Sequence, residues 1–467
     1  MGPAVQQHPS SYRDPSGFLF YYQGQLFRQV NEVFREDFEQ FMNGGLYQSL
    51  TSKGLLVPHQ TIERNLTGSE DWLATLRPET VPLISYPYEW CFDMWKDAAL
   101  TTLEAAQEAM SHKMMLKDAS AYNVQWHLGR MRFIDTLSFE RYREDSPWIA
   151  YRQFCEHFLA PLALMHYSKL PLSPLFLAYP DGLPLGMAAK LLPYRSKWNL
   201  NAYLHIHLHA RLSAGKGDKR QPATEGFSRQ KLKNIFRSLG EMVRSFSLKG
   251  RTGVWSGYYD EAAQRDDYLS RKKEIIEGWL KKGNYSSAID AGANEGEFSL
   301  LAARLNMHTI SCDLDHYSVN NLYNKIKEQQ VTNLHPLVMD LSHPSPAIGV
   351  NNVERSSFAS RVNADVVLAL ALVHHLAIGR NIPFQSIAEL FRSLGQDLII
   401  EYIPKEDEKI KLMLAQKQDI YSWYHREAFL NGFSKYFSVA DEQPVGTSGR
   451  VLFLMRGPQS TVYSPQT

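Results

Sequence analysis

From residue 285 onward the hydrophobic pattern of this chain changes its period, and that change constrains the fold more than any other feature. Short apolar runs alternate with amphipathic stretches: YSSAID then EFSLLAARL, HTISC then HYSVNNLYNKIKEQQ, LHPLVM, ADVVLAL then FQSIAELFRSL, DLIIEY then HREAFLNGFSKY, and finally RVLFLM. A parallel strand needs a crossover before its neighbour can pair, and the crossover helices cover both faces of the sheet. The pattern therefore predicts an α/β domain over 271–457.

The chemistry-bearing residues fall where these strands end. YSSAID closes on Asp290, and the small-residue loop Ala291, Gly292, Ala293, Asn294, Glu295, Gly296 leads straight into a helix. Small residues let the backbone turn sharply and let a ligand lie against it. The second strand ends at Asp313, 23 residues after Asp290, where a carboxylate suits the two hydroxyls of a ribose. The third ends at Asp340, an acceptor for an exocyclic amine. The fourth leads into His374 and His375, and the fifth ends at Glu401. Ligands of open α/β sheets bind at these carboxyl ends. A neutral imidazole there can take a proton from an acceptor hydroxyl or amine, or it can simply pack the loop. Glu401 orients an acceptor amine or His374, or it serves as an ion-pair partner.

These residues resemble the class I, Rossmann-like, S-adenosylmethionine-dependent methyltransferases. That family's first motif is an acidic residue followed by G-x-G, and here Asn294 stands in place of the second glycine. The resemblance implies a seven-stranded sheet whose final pair of strands is antiparallel, with S-adenosyl-L-methionine as cofactor. It implies that Asp290 and the loop Gly292, Ala293, Asn294 and Gly296 hold the methionine part, Asp313 the ribose and Asp340 the adenine. His374, His375 and Glu401 are the catalytic candidates. The full G-x-G-x-x-G of dinucleotide-binding proteins is missing, which argues against NAD.

The N-terminal half carries a second pattern. GFLFYYQGQLFRQV predicts a hairpin turning at Gln23-Gly24, a helix follows, 81–90 predicts a buried strand, and ALTTLEAAQEAMSHKM a long helix. In LKDASAYNVQWHLGRMRFIDTLSFE, Asp118 and Asn123 are five apart and Asp135 comes twelve later. This resembles the protein-kinase catalytic loop followed by a metal-binding Asp, and the order of elements over 14–205 resembles a kinase or aminoglycoside-phosphotransferase fold. It departs from that pattern at several points. Leu116 replaces the loop His, Asp135-Thr136-Leu137 replaces D-F-G, no glycine-rich phosphate loop precedes it, and Arg28 is the nearest stand-in for the nucleotide lysine. The resemblance therefore implies a degenerate kinase-like α+β domain. As a whole the chain distantly resembles bacterial methyltransferases of the host-specific nodulation type.

The 467 residues carry 50 Lys and Arg against 49 Asp and Glu, so no global field selects nucleic acid or an anionic membrane. Three widely spaced cysteines, Cys91, Cys155 and Cys312, exclude a C-x-x-C metal site and fit a reducing, cytoplasmic setting; no metal is expected. The expected organisation is a disordered 1–13, the α+β domain 14–205, a helical linker 206–270 with a flexible loop at 213–226, the methyltransferase domain 271–457 and a tail 458–467. Trp255, Tyr258, Tyr259 and Tyr268, just before the last domain, offer an aromatic face for a sulfonium or for helix packing. The expected partner is a small-molecule or glycan-type acceptor, bound with help from the N-terminal domain; no membrane partner is expected. The alternatives are a bifunctional kinase–methyltransferase, an RNA methyltransferase and a non-catalytic cofactor sensor. The sequence shows neither a basic-aromatic patch nor an N-P-P-[FY] signature for base methylation.

Overall fold

The computed structural model describes residues 5–214, 227–248, 268–415, 417–446 and 449–458. The chain divides into two compact units, Met1–Arg251 with Ala347–Ser356, and Thr252–Pro346 with Ser357–Thr467.

The second unit is built on a seven-stranded sheet of order β12-β11-β10-β13-β14-β16-β15. β10 (Ser287–Ala291), β11 (His308–Asp313), β12 (Leu334–Val338), β13 (Ala364–Ala369) and β14 (Gly395–Tyr402) are parallel. β16 (Arg450–Arg456) runs antiparallel to β14, and β15 (Ser438–Val445) antiparallel to β16. Counted from β10, the order is 3-2-1-4-5-7-6, with the antiparallel final pair that the sequence resemblance implies. Ala288, Val366, Leu368, Ile399 and Leu452 form one core face, and the helix Tyr268–Gly283 lays Ile275, Ile276, Trp279 and Leu280 against it. β15, at the edge, carries Asp441, Glu442 and Pro444 and a register shift after Val439, features that keep an open edge from pairing with another chain. The strand order reverses between β10 and β13, and the carboxyl ends on either side of that switch hold the loops of interest.

The first unit contains an antiparallel sheet of order β1-β2-β3-β5-β4. Its strands are β1 (Gln6–Gln7), β2 (Gly17–Tyr22), β3 (Gln25–Asn31), β4 (His59–Ile62) and β5 (Trp72–Pro78). Positive φ at Gln23 (53°) and Gly24 (75°) makes the tight turn between β2 and β3, as that dipeptide predicts. The helices Arg35–Asn43 and Leu46–Ser52 separate β3 from β4. The long helix Phe92–Ser111 precedes β6 (Met114–Leu116), the hairpin of β7 (Val124–His127) and β8 (Arg130–Phe133), and β9 (Phe139–Arg141), which pairs with β6.

Three expectations are corrected here. Residues 6–7 pair with β2 rather than being disordered, and Tyr12 and Arg13 both bond to Glu354, at 3.0 and 2.9 Å. Residues 81–90 are not a strand, and only 85–90 are continuously buried. Pro82 and Pro87 lack ladder donors, and Pro87–Glu89 forms a 3₁₀ turn that Glu89 closes by accepting the Tyr86 N–H at 2.8 Å. The helix Arg229–Ser245, expected in a linker, belongs to the first unit, where Lys96 Nζ donates to the carbonyls of Arg244 and Phe246, each at 2.9 Å. The loop expected at 213–226 lies, from 215 on, outside the described residues, as do Trp255, Tyr258, Tyr259 and the tail beyond 458.

All three cysteines are buried free thiols, Cys91 and Cys155 in the first unit and Cys312 on β11; burial pushes the thiols of Cys91 and Cys155 up.

Arg28 on β3 is paired with Asp135, a largely buried ion pair with 16% and 14% of the two side chains exposed. Removing one member strands the other charge. Arg28→Met is therefore expected to cost the first unit about 3–5 kcal/mol. Hydrogen exchange should read this as lost protection in β3 and the β7–β8 hairpin, with β10–β14 unchanged.

Candidate active site

The backbone shapes the loop after β10. Gly292 and Gly296 have φ of 74° and 75°, and Asn294 has 52°, so three residues in five adopt the left-handed conformation. A Cβ on Gly296 would come within 2.5 Å of the Leu322 side chain, and one on Gly292 within 3.0 Å of Leu372. Gly292 and Ala293 donate their N–H groups to the Cys312 carbonyl at 2.9 and 3.0 Å, which ties the loop to the end of β11. The helix Glu297–Arg304 begins immediately after it.

The carboxylates line this loop in two different ways. Asp313 accepts the Asn294 N–H at 2.7 Å on one oxygen and the Asp315 N–H at 2.7 Å on the other, which fixes its plane at the strand end. Each oxygen keeps a further lone pair for a hydroxyl, so it suits a vicinal diol. Asp290 is only 2% exposed and accepts from Ser299 Oγ at 2.6 Å. Burial pushes its carboxyl up to about 6, against the opposing pull of Ser299 and the Lys272 charge. Asp340, after β12, accepts from Ser342 N and Oγ at 2.9 and 2.5 Å and lies 3.3 Å from Arg380. The Ser342 bonds and the Arg380 charge outweigh its partial burial and hold its carboxyl low.

On the far side of the switch, His374 is 3% exposed, its ring centroid is 4.1 Å from that of His375, and its Nδ1 has no hydrogen-bond partner among the described residues. Burial, then the charges of His375, Arg450 and Lys272, push His374 far below the ordinary histidine value, and burial takes His375 down to about 4. Both shifts favour the neutral rings.

Glu401 does not face an open site. It is wholly buried, receives Lys272 Nζ at 2.6 Å on one oxygen and the Tyr268 hydroxyl on the other, and has Arg450 at 3.8 Å. Arg450 also donates to Tyr268 Oη at 3.0 Å and to Asp407 at 2.8 and 3.2 Å. The acceptor-orienting role expected of Glu401 gives way to an ion-pair role, because the carboxylate has no exposure and is enclosed by Lys272, Tyr268 and Arg450. The sequence offered one signal for this network: Lys272 interrupts an otherwise apolar stripe of Tyr268, Ile275, Ile276 and Trp279. Arg450, after a turn, offered none.

Asp118, Asn123 and Asp135 of the first unit, the residues on which the kinase resemblance rests, also converge. Asn123 donates to Ser138 Oγ at 3.3 Å, Ser138 donates to Asp135, and Asp118 is held by Gln153 Nε2 at 2.7 Å and Ser120 N at 3.0 Å. Burial first, then the Asp135 charge, raises the Asp118 carboxyl, with Asn123 opposing. Arg28 already neutralises Asp135 and Ser138 donates to its other oxygen, so the magnesium that such a fold implies fits these donors only if the ion pair is broken.

The strand order and the loop after β10 give the second unit the Rossmann-like fold that the sequence resemblance implies. The chain is 32% identical to nodulation protein NoeA of Rhizobium meliloti (strain 1021) across 454 residues, 95% of this chain and 94% of that one; it belongs to the NoeA family. No protein-family profile matches it. Among solved structures it is similar to magnesium protoporphyrin IX methyltransferase (ChlM) from Synechocystis PCC 6803 with bound SAM, at 18% identity, TM-score 0.30, covering 44% of this chain and 87% of that one. It is also similar to N-methyltransferase NodS from Bradyrhizobium japonicum WM9 (9%, TM-score 0.31, 42% and 99%) and to the bifunctional kinase-methyltransferase WbdD (15%, TM-score 0.30, 44% and 43%).

Asp290 yields a test. Its folded pKa lies above the unfolded value of about 4, so the folded chain holds the proton more tightly, and stability falls as pH rises from about 4 to about 6. Asp290→Asn removes that cost. Urea denaturation of the ligand-free protein at pH 7.5 should show a gain of about 2–3 kcal/mol over wild type, vanishing below about pH 4.

Proposed function

We propose that this protein is a methyltransferase that moves the methyl group of S-adenosylmethionine to a small-molecule or glycan-type acceptor. The observation that carries this reading is Asp313, held in plane by two backbone N–H groups at the end of β11, beside a left-handed glycine loop that opens a helix. The residues fit the cofactor. Asp313 would take the ribose hydroxyls, the Gly292–Gly296 loop would lie along the methionine part, and Asp340 would accept from the adenine amine. Buried Asp290, already bonded to Ser299, anchors the loop and offers negative charge to the methionine end. When bound, the cofactor supplies a sulfonium-activated methyl group.

The protein's own task is then to position the acceptor and remove its proton. The Nδ1 of His374, which has no hydrogen-bond partner among the described residues, is the proton acceptor in this reading, a weak one because burial disfavours its charged form, and His375 packs against it. Glu401, neutralised by Lys272 and Arg450, acts as a support. We assign the first unit as a degenerate kinase-like domain that contributes acceptor or partner binding. The sheet order, the long helix and the convergence of Asp118, Asn123 and Asp135 support the likeness, and the Arg28–Asp135 pair argues against phosphoryl transfer.

Asp313→Ala should bind S-adenosylmethionine at least about tenfold more weakly, from the loss of charge-assisted hydrogen bonds worth about 1.5–3 kcal/mol. Calorimetry on the folded variant checks this, and wild-type affinity would refute the site.

His374→Ala should keep cofactor affinity and lose about 10²–10⁴-fold in turnover, with the deficit shrinking at high pH as the acceptor ionises unaided. The assay is transfer of tritiated methyl to fractionated cell extract, with mass spectrometry of the product. Turnover within a few-fold of wild type would leave positioning as the whole of the protein's contribution.

A further inference from the structure

In the first unit the chain exposes apolar side chains on a rigid support. Trp198 is 80% exposed, Tyr194 70%, Leu200 68% and Leu191 56%, with Leu204 at 40%. Trp198 and Tyr194 stand edge to face, with ring centroids 6.4 Å apart, on the 3₁₀ turn Tyr194–Trp198. The turn is pinned from beneath: buried Ser196 donates to the Pro193 carbonyl at 2.7 Å and meets His207 Nε2 at 2.8 Å. Asn199 caps the next helical segment by accepting the Ala202 N–H at 3.0 Å. The backbone that presents Trp198 to solvent is thus hydrogen-bonded on both sides of it.

The stretch of chain that forms this ledge carries charge of one sign. Between Asp181 and Asp218 the sequence contains no acidic residue, while Lys190, Arg195, Lys197 and Arg211 are all exposed. Lys197 Nζ lies 4.9 Å above the Tyr194 ring. Arg195 is committed to the Tyr167 carbonyl at 2.7 Å, which leaves Lys190, Lys197 and Arg211 as the outward cations. The sequence-level expectation of no basic-aromatic patch is corrected, because the patch is assembled from residues scattered over three short helical segments.

We propose that this ledge docks the protein onto an anionic lipid surface. No helix among the described residues is long and apolar enough to cross a membrane, and none is needed. Tyr and Trp side chains favour the headgroup level of a bilayer, and lysines beside them meet anionic headgroups. The leucines decide between an anionic membrane and a nucleic acid. Stacked bases would use Trp198 and Tyr194 but have no use for exposed Leu191, Leu200 and Leu204, whereas an acyl boundary buries all of them.

The test is flotation of the full-length protein with phosphatidylcholine vesicles that either contain or lack phosphatidylglycerol. Wild type should float with the anionic vesicles, and less so as salt is raised. Tyr194→Ser with Trp198→Ser should weaken binding about tenfold or more. Lys190→Gln, Lys197→Gln and Arg211→Gln should each weaken it about fivefold. All these positions are exposed, so unchanged circular dichroism and melting are expected and serve as the folding control. Four results would overturn the proposal. These are no flotation, equal flotation with neutral vesicles, full binding by the Tyr194/Trp198 variant, and a Trp198-dependent dimer or RNA complex formed in place of vesicle binding.

Discussion

The second unit depends on the neutralisation of one carboxylate. Glu401 ends β14 with no exposure, and it is tolerable there only because Lys272 comes from the helix before β10 and Arg450 from the first residue of β16. Tyr268 and Asp407 complete the set, so with Glu401 itself five side chains from four stretches of the sequence meet there. An ion pair buried this completely gains little over apolar packing, and breaking it is costly. Its value is that it specifies the arrangement. The helix Tyr268–Gly283, the fifth parallel strand and the antiparallel closing strand are locked in one register at the edge of the site.

That lock leaves the site with a division of labour. Backbone conformation at Gly292, Asn294 and Gly296 shapes the surface against which a ligand can lie, and Asp313 is held ready by two amide donors. The imidazole next door is kept neutral by burial and by the two cations that serve Glu401. One set of charges therefore stabilises the sheet and also disfavours protonation of His374. Electrostatic support of this kind needs no residue to move before a ligand arrives.

Much of the second unit was legible because its period is local. Each strand end carried its own residue, and parallel strands cannot pair without crossovers, so Asp290, Asp313, Asp340, His374 and Glu401 could be placed at one edge from the order of the runs alone. The partners of Glu401 could not, since Arg450 lies 49 positions away and follows a turn that carries no pattern. The first unit was harder. Its strands are short and antiparallel, Pro82 and Pro87 turned an apolar run into a buried connector, and the helix Arg229–Ser245 is amphipathic in a way that suits a linker or a packed helix equally. The ledge around Trp198 was invisible, because exposure is a property of the folded surface and an aromatic near prolines reads as core.

The three buried thiols give the molecule an internal record of its own fluctuations. A cysteine with no solvent contact reacts only when its surroundings open, so the rate at which a small disulfide reagent captures it measures the free energy of that opening. Cys91 at the head of the long helix and Cys155 further along report on the first unit, and Cys312, whose carbonyl holds the Gly292 and Ala293 amides, reports on the second. Because no disulfide links them, the two parts of the chain can be timed separately in one experiment, without introducing a label. Cys312 sits on the strand that carries Asp313, so its trapping rate follows the loosening of the very edge where a ligand would bind.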